Sequence, residues 1–434
     1  MAIAYFTGTA DAVAQVTTVT VGGVLAGETF TLSVGGVAIA SHTDADTVIA
    51  TTVAALVSAW NASTHPYGTA VSAVDASPDI TLTADTAGVP FTVTVNTPGG
   101  AATLVITGDP TTASAGPNDL STEDNWTGGG GSGGKPAATD TVEFKDTDVD
   151  VCWGLTELNG VALDGLFIHQ TYTGRMGLDY AAFATSADGR TVDTSKQEYR
   201  STRAQFPMNG ATKRFHIGWH EGPGTPAGSQ QIYLLMDGSG EIIVHNTATV
   251  SSQSGRPSVD IDTTSASTNL IVREAPAGVG VAMQAPDDAA TINDITVTSQ
   301  SASTRVFIGK GVSWDNFTQF GGTNQIDSAI DLTAGEAVKV HSGTLTIQGD
   351  FLIDELHING GLVIDKHLNT GAVSIVDTWI NGGTLDLTQN GQAHELTNVY
   401  LEKGGTLRAD DGLTDITNLL EPDGGTGPYT ISVT

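Results

Sequence analysis

Along most of this chain apolar residues alternate with polar ones instead of recurring every three or four positions. Period-two alternation over short runs predicts half-buried β-strands. "QVTTVTVGG", "ETFTLSVGG" and "VAIASH" are such runs, separated by Gly-Gly turns. One segment breaks the pattern. In "DTVIATTVAALVSAWNAS" Ile49, Val53, Leu56, Val57 and Trp60 fall on one face of a helix. Asp44 or Asp46 is placed to cap its start. Alternation resumes in "DITLTADTAG", "PFTVTVNT" and "ATLVITG". Residues 16–115 therefore read as a small α+β module with one helix over a sheet face.

Beyond residue 140 no further strong helix pattern occurs, and a repeat emerges. "VKVHSGTLTIQGD", "ELHINGGLVIDK", "TWINGGTLDLTQ" and "VYLEKGGTLRAD" each run strand, glycine turn, strand. Gly343, Gly361, Gly383 and Gly405 are spaced 18, 22 and 22 residues apart. Such a period with alternating strands predicts a parallel β-helix (β-solenoid) over residues 140–434, with Leu345, Ile347, Leu385 and Leu387 facing inward. "GLVIDK" fits this register only if slipped by one residue. The whole is thus mostly β: a small N-terminal α+β module followed by roughly ten to fourteen coils, about 50–65 Å at ~4.8 Å each. The cation-rich stretch 170–230, with Arg175, Arg190, Lys196, Arg200, Arg203, Lys213 and Arg214, reads as long loops off the early coils.

Composition narrows the function classes. The 434 residues are 39% hydrophobic and 15% charged, with 53 glycines and a net charge of −31. Such an acidic chain repels phosphate backbones and anionic lipid, so neither nucleic acid nor membrane is expected as a partner. The first residues lack the basic and apolar regions of a secretory signal, which implies synthesis in a cytoplasm. The single cysteine, Cys152, lies in an apolar run and reads as a small buried thiol.

Two phrases carry a resemblance. "GETFTLSVGG", the helix ending in "WNAS", and "ITLTADTAGVPFTVTV" resemble, over about residues 15–107, a small module found in structural proteins of tailed bacteriophages and in some bacterial surface proteins. "NWTGGGGSGGKPAATDTVEF" (125–144) is similar to the opening phrase of many β-solenoid surface and virion proteins. In that likeness residues 116–139 form a glycine-rich linker and cap, Trp126 plugs the open coil, and "TVEF" is the first rung. Residues 1–15 read as an extended arm that becomes ordered on a neighbouring molecule.

Candidate chemistry is sparse. His216 and His220 are four apart, but Phe215, Ile217 and Trp219 alternate with them as on a strand, which puts the two histidines ~13 Å apart, too far to share an ion. Asp146, Asp148 and Asp150, and likewise Asp260 and Asp262, lack a full calcium-loop spacing. Asp260, Asp262, Arg273 and Glu274 are the acids and cation that a lyase or hydrolase groove would need. Asp410, Asp411 and Asp415 read as a terminal turn. Sequons stand at Asn61, Asn125 and Asn316. No combination of nucleophile, base and orienting group is present, so no catalytic, cofactor or metal residue is expected.

The resemblance implies a non-enzymatic virion protein that decorates or cements a phage capsid, with the module as anchor, the major capsid protein or another virion protein as partner, and a homo-oligomer, preferably a trimer. The alternatives are a tail fibre or spike that binds host glycan, and a bacterial surface adhesin.

Overall fold

The computed structural model describes residues 2–34, 37–96, 99–177, 203–208, 210, 212–220, 232–236, 238–245, 258–263, 267–274, 278–281, 289–309, 311–327, 330–332, 335–367, 373–389, 391–402, 404–410, 412–420 and 430–433. Arg190, Lys196, Arg200 and Asp411 lie outside them, as does most of the loop segment expected over 170–230.

The chain is mostly β, and its long parallel sheets form a β-helix. From residue 337 it alternates between two sheets: Ala337–Val340 and Glu355–Ile358 lie in the 15-stranded sheet, Thr344–Ile347 and Leu362–Asp365 in the 11-stranded one. The register stacks like on like. Val338 pairs with Leu356 in the larger sheet, and Leu345 with Val363, then Leu385, then Leu407 in the smaller. Leu345, Ile347, Leu385 and Leu387 are all buried, as their alternation predicts. Each coil buries its apolar face only against the next, which is why one repeat alone would not fold. The ladder from Ile3–Phe6 to Thr414–Leu420 spans about 58 Å.

The turn glycines answer to geometry. Gly361 has φ +78°, and a Cβ there would lie 2.4 Å from the carbonyl oxygen of Gly343 in the coil below. A side chain is excluded both by that left-handed conformation and by the close stacking of coils at this corner.

The module has its own core. A four-stranded and a three-stranded antiparallel sheet pack with the helix Ile49–Asn61, which buries Val53, Leu56 and Trp60. The Trp60 indole N–H donates to the Val71 carbonyl at 2.7 Å. The two acids expected as caps act outside the helix. Val48 holds the cap position with no side-chain bond, while Asp46 accepts the Val48 N–H and Asp44 the Thr52 hydroxyl.

The start of the chain differs from expectation. Residues 1–15 are not an arm awaiting a neighbour. Ile3–Phe6 is a strand of the β-helix itself, parallel to Thr141–Phe144 and antiparallel to Trp126–Thr127. "TVEF" is therefore the second rung, not the first. The physical reason is burial: Ala4 and Phe6 face inward, and Phe6 packs against Trp126 and Phe144 at ring-centroid distances of 5.3 and 5.2 Å. Trp126 does close this end, with its indole N–H on the Leu120 carbonyl.

The module is thus an insertion in the first coil, and the chain leaves and returns through a two-stranded neck. Val13 and Ala115 are bridged across it. Asn125 is fully buried and clasps both sides: its Oδ1 accepts the Ala10 N–H at 2.9 Å, and its Nδ2 donates to the carbonyls of Gly116 and Asp119. Asn125→Ala would leave the buried Ala10 N–H unmet and take the shorter of two donors from each of the Gly116 and Asp119 carbonyls, which keep the Asp119 and Thr122 N–H groups at 3.3 and 3.4 Å. We expect a loss of about 3 kcal/mol, read as a lower unfolding midpoint together with new protease cleavage in 7–15 or 113–124.

The glycine run is built structure, not slack linker. Asp140, buried just beyond it, accepts N–H bonds from Gly130, Ala137 and Ala2. Burial pushes its carboxyl up, but the three donors outweigh burial and hold it below the ordinary range. A Cβ on Gly129 would sit 2.2 Å from the Lys135 carbonyl oxygen, so the turn admits no side chain there.

Candidate functional site

The structure separates most of the residues singled out in the sequence. Asp260 and Asp262 lie on Val259–Asp262 in the smaller sheet, whereas Arg273 and Glu274 follow Thr268–Val272 in the larger one. The two acids instead meet Arg203, whose Nη2 is 3.2 Å from Asp260 and Nη1 3.0 Å from Asp262. An acid already engaged by a guanidinium is a poor general acid or base. Asp146 and Asp148 are exposed, and Asp150 accepts the Arg175 backbone N–H. Asp410 is half-buried and Asp415 exposed. Cys152 is half-buried, less covered than its apolar run suggests. All three sequon asparagines are bound internally: Asn61 clasps Ala73, Asn125 the neck, and Asn316 bridges Asp294 and Ala337.

His216 and His220 do not pair with each other. His216 instead meets His245 of the next coil, Nδ1 to Nε2 at 3.0 Å, with the rings stacked. Phe167 stacks on the other face of His216, and Trp219 packs edge-on. His220 stands near Glu274 at 3.5 Å. Burial, then the nearby cations Arg273 and Arg214, lower the pKa of His216 to about 4; burial, His216 and Arg273 do the same for His245.

On the outer face of the larger sheet, His357, Trp379 and Tyr400 stack at 4.3 and 5.1 Å with nearly parallel planes. The middle ring, Trp379, is sandwiched between the other two and has no face left for a sugar. A shallow pocket in the module, lined by Tyr67, Val71, Val89, Pro90 and Phe91 among others, carries no acid and no cation.

The cluster that sequence reading missed lies inside the rod. Asp365 ends Leu362–Asp365 and takes the inward position that Ile347 holds one coil earlier. His367 follows two residues on. His394 opens His394–Leu401 on the other sheet and points inward as well. All three are at most 1% exposed. One carboxylate oxygen of Asp365 lies 2.7 Å from His367 Nδ1 and 2.5 Å from His394 Nε2. Burial pushes the Asp365 carboxyl up, but bonds from His394 and from the backbone and ring of His367 outweigh it, so the group is held below the usual carboxylate range. Among the described residues this is the one group of three or more His, Cys, Asp or Glu whose ligand atoms come close enough to share a metal ion.

Fold and site together define a parallel β-helix with an α+β module inserted in its first coil and an ionisable triad in its interior. Searches against protein-family models, curated proteins and solved structures return no match for this chain. Among the described residues no helix is long and apolar enough to cross a membrane.

Proposed function

We propose that this chain is a non-enzymatic structural protein of a tailed-phage particle, in which the inserted module attaches to the capsid or another virion protein and the acidic rod projects into solvent. The observation that carries the reading is the neck. A compact unit with a core of its own is held at one end of a stiff rod by two clasped strands, an arrangement suited to holding at one end and displaying at the other. The likeness of the module to phage structural proteins supplies the particle. Asp260 and Asp262, the acids that a hydrolytic groove would use, are both engaged by Arg203, which favours a structural role over a polysaccharide lyase or hydrolase built on them. Three-fold association of parallel rods is part of the proposal, because closed symmetric assemblies are the common way for such subunits to associate.

The location of Ile3–Phe6 in the rod dictates the experiment. A cut near residue 115 would strip the first rung from the rod. Residues 14–114 should be excised instead and Val13 joined to Ala115 through a short Asn-Gly turn, which suits two adjacent antiparallel strands. The full chain is expected to decorate particles that lack it, while the excised rod stays folded and unbound. If the excised rod decorates the particles as well as the full chain does, the module is not the anchor. If immunogold labelling of purified particles never marks the full chain, the virion reading fails altogether.

A further inference from the structure

We propose that Asp365, His367 and His394 form an internal site for a divalent transition-metal ion, zinc by ligand chemistry, which ties two successive coils of the rod together. The argument begins with placement. The column that contains Asp365 holds Ile326 and Ile347 in the preceding coils. An ionised carboxylate in that position is costly, and a buried ion pair rarely outperforms a well-packed apolar residue of similar size. Two histidines from separate parts of the chain turn toward this carboxylate, also fully buried. Three ionisable side chains converging in an apolar core are not explained by packing.

Asp365 engages one nitrogen of each ring, His367 Nδ1 and His394 Nε2, through the same carboxylate oxygen. Two ring nitrogens and a carboxylate from two places in the chain are thus already turned toward one point, and these are the atoms an ion would take; His394 Nδ1 lies on the far side of its ring and is no part of the cluster.

The geometry suits a small ion. The three ligand atoms lie within 4.8 Å of one another. Zinc holds nitrogen and oxygen ligands at about 2.0–2.2 Å in a tetrahedron, so neighbouring ligand atoms stand about 3.3 Å apart. Opening the present 2.7 and 2.5 Å separations to that value moves the His367 and His394 nitrogens outward by about 0.6 and 0.8 Å. On binding, His367 and His394 each coordinate through the nitrogen now turned to Asp365, and its proton shifts to the far nitrogen of the ring, so each imidazole stays neutral. Two imidazoles with a single carboxylate favour zinc over calcium or magnesium, which take oxygen-rich sets. With every ligand shielded from solvent, the ion would lock the coils and would not turn over substrate.

The test uses the full chain, stripped with a chelator and returned to metal-free buffer. Zinc is then titrated, bound metal is counted by mass spectrometry, and the thermal midpoint is followed. Cobalt is added in a parallel sample, since tetrahedral cobalt with nitrogen ligands absorbs visibly. We expect about one ion per chain, a raised midpoint that the chelator reverses, and a cobalt band. Asp365→Asn and His394→Gln should each weaken binding about tenfold or more, whereas His216→Phe, far along the rod, should leave it unchanged. The wild-type measurements stand even if a triad variant misfolds. Absence of zinc and cobalt binding to the wild-type chain overturns the proposal. So does binding that survives in folded Asp365→Asn and His394→Gln proteins, because the ion would then sit elsewhere.

Discussion

Leu385→Asp is expected to cost about 4–6 kcal/mol and to unravel the last coils of the rod. Leu385 is 1% exposed and stacks between Val363 and Leu407. The substitution removes a buried isobutyl group and puts a carboxylate among the apolar neighbours of the rod core. In a stacked array each coil is held by its neighbours, so the damage should spread toward the C-terminal strands Thr406–Ala409 and Thr430–Val433. The module, whose core is separate, should be spared. Differential scanning calorimetry should show a lowered rod transition, and limited proteolysis should clip beyond residue 380 first. An unchanged midpoint would mean that Leu385 does not face the core.

The contrast with Asp365 is instructive, because that residue is a carboxylate that the rod already carries in the next column. The sequence made it visible as a misfit. With Gly361 aligned to Gly343, the strand Leu362–Asp365 places Val363 and Asp365 inward. An inward aspartate contradicts the alternation, which is why a one-residue slip looked preferable when only the pattern was considered. The register does not slip. The exception to the pattern was the site, and its partners were hidden because His394 lies 29 residues away on another sheet. Strand periodicity sets His216 and His220 apart, but it could not show that the next coil would set His245 beside His216. The first rung was missed for a similar reason. Ile3–Phe6 is too short to announce a strand, and its partner Thr141–Phe144 lies beyond the whole module. Local pattern was sufficient wherever an element repeats a simple period: the glycine turns, the inward leucines and the buried face of the helix Ile49–Asn61 were all legible. It fell short where contacts are set by topology rather than by period.

The histidine pair His216–His245 should give the rod an acid-sensitive step. Their contact at 3.0 Å needs one ring nitrogen to donate and the other to accept, which holds only while at least one ring is neutral. Burial, reinforced by Arg273 and Arg214 at His216 and by His216 and Arg273 at His245, keeps both pKa values near 4, with Glu274 pulling the other way on His245 and His220 adding to the cations if charged. An unfolded histidine titrates at about 6.5. Above that pH both states are neutral and the pair has no effect. As the pH falls from about 6.5 toward 4, the unfolded chain takes up protons that the folded chain refuses, so stability declines by about 1.4 kcal/mol per pH unit for each histidine in that window. The carboxylates held below their ordinary range, Asp140, Asp365 and Asp386, lose their contribution only at lower pH, as they are protonated in the fold. The two windows are therefore separable. Unfolding midpoints of the wild type should drop between pH 6.5 and 4.5. A His216→Phe, His245→Phe double variant, which keeps an aromatic stack against Phe167, should stay nearly flat over that range and then fall with the wild type below it. Equal slopes for the two proteins between pH 6.5 and 4.5 would show that the pair is already charged in the folded rod.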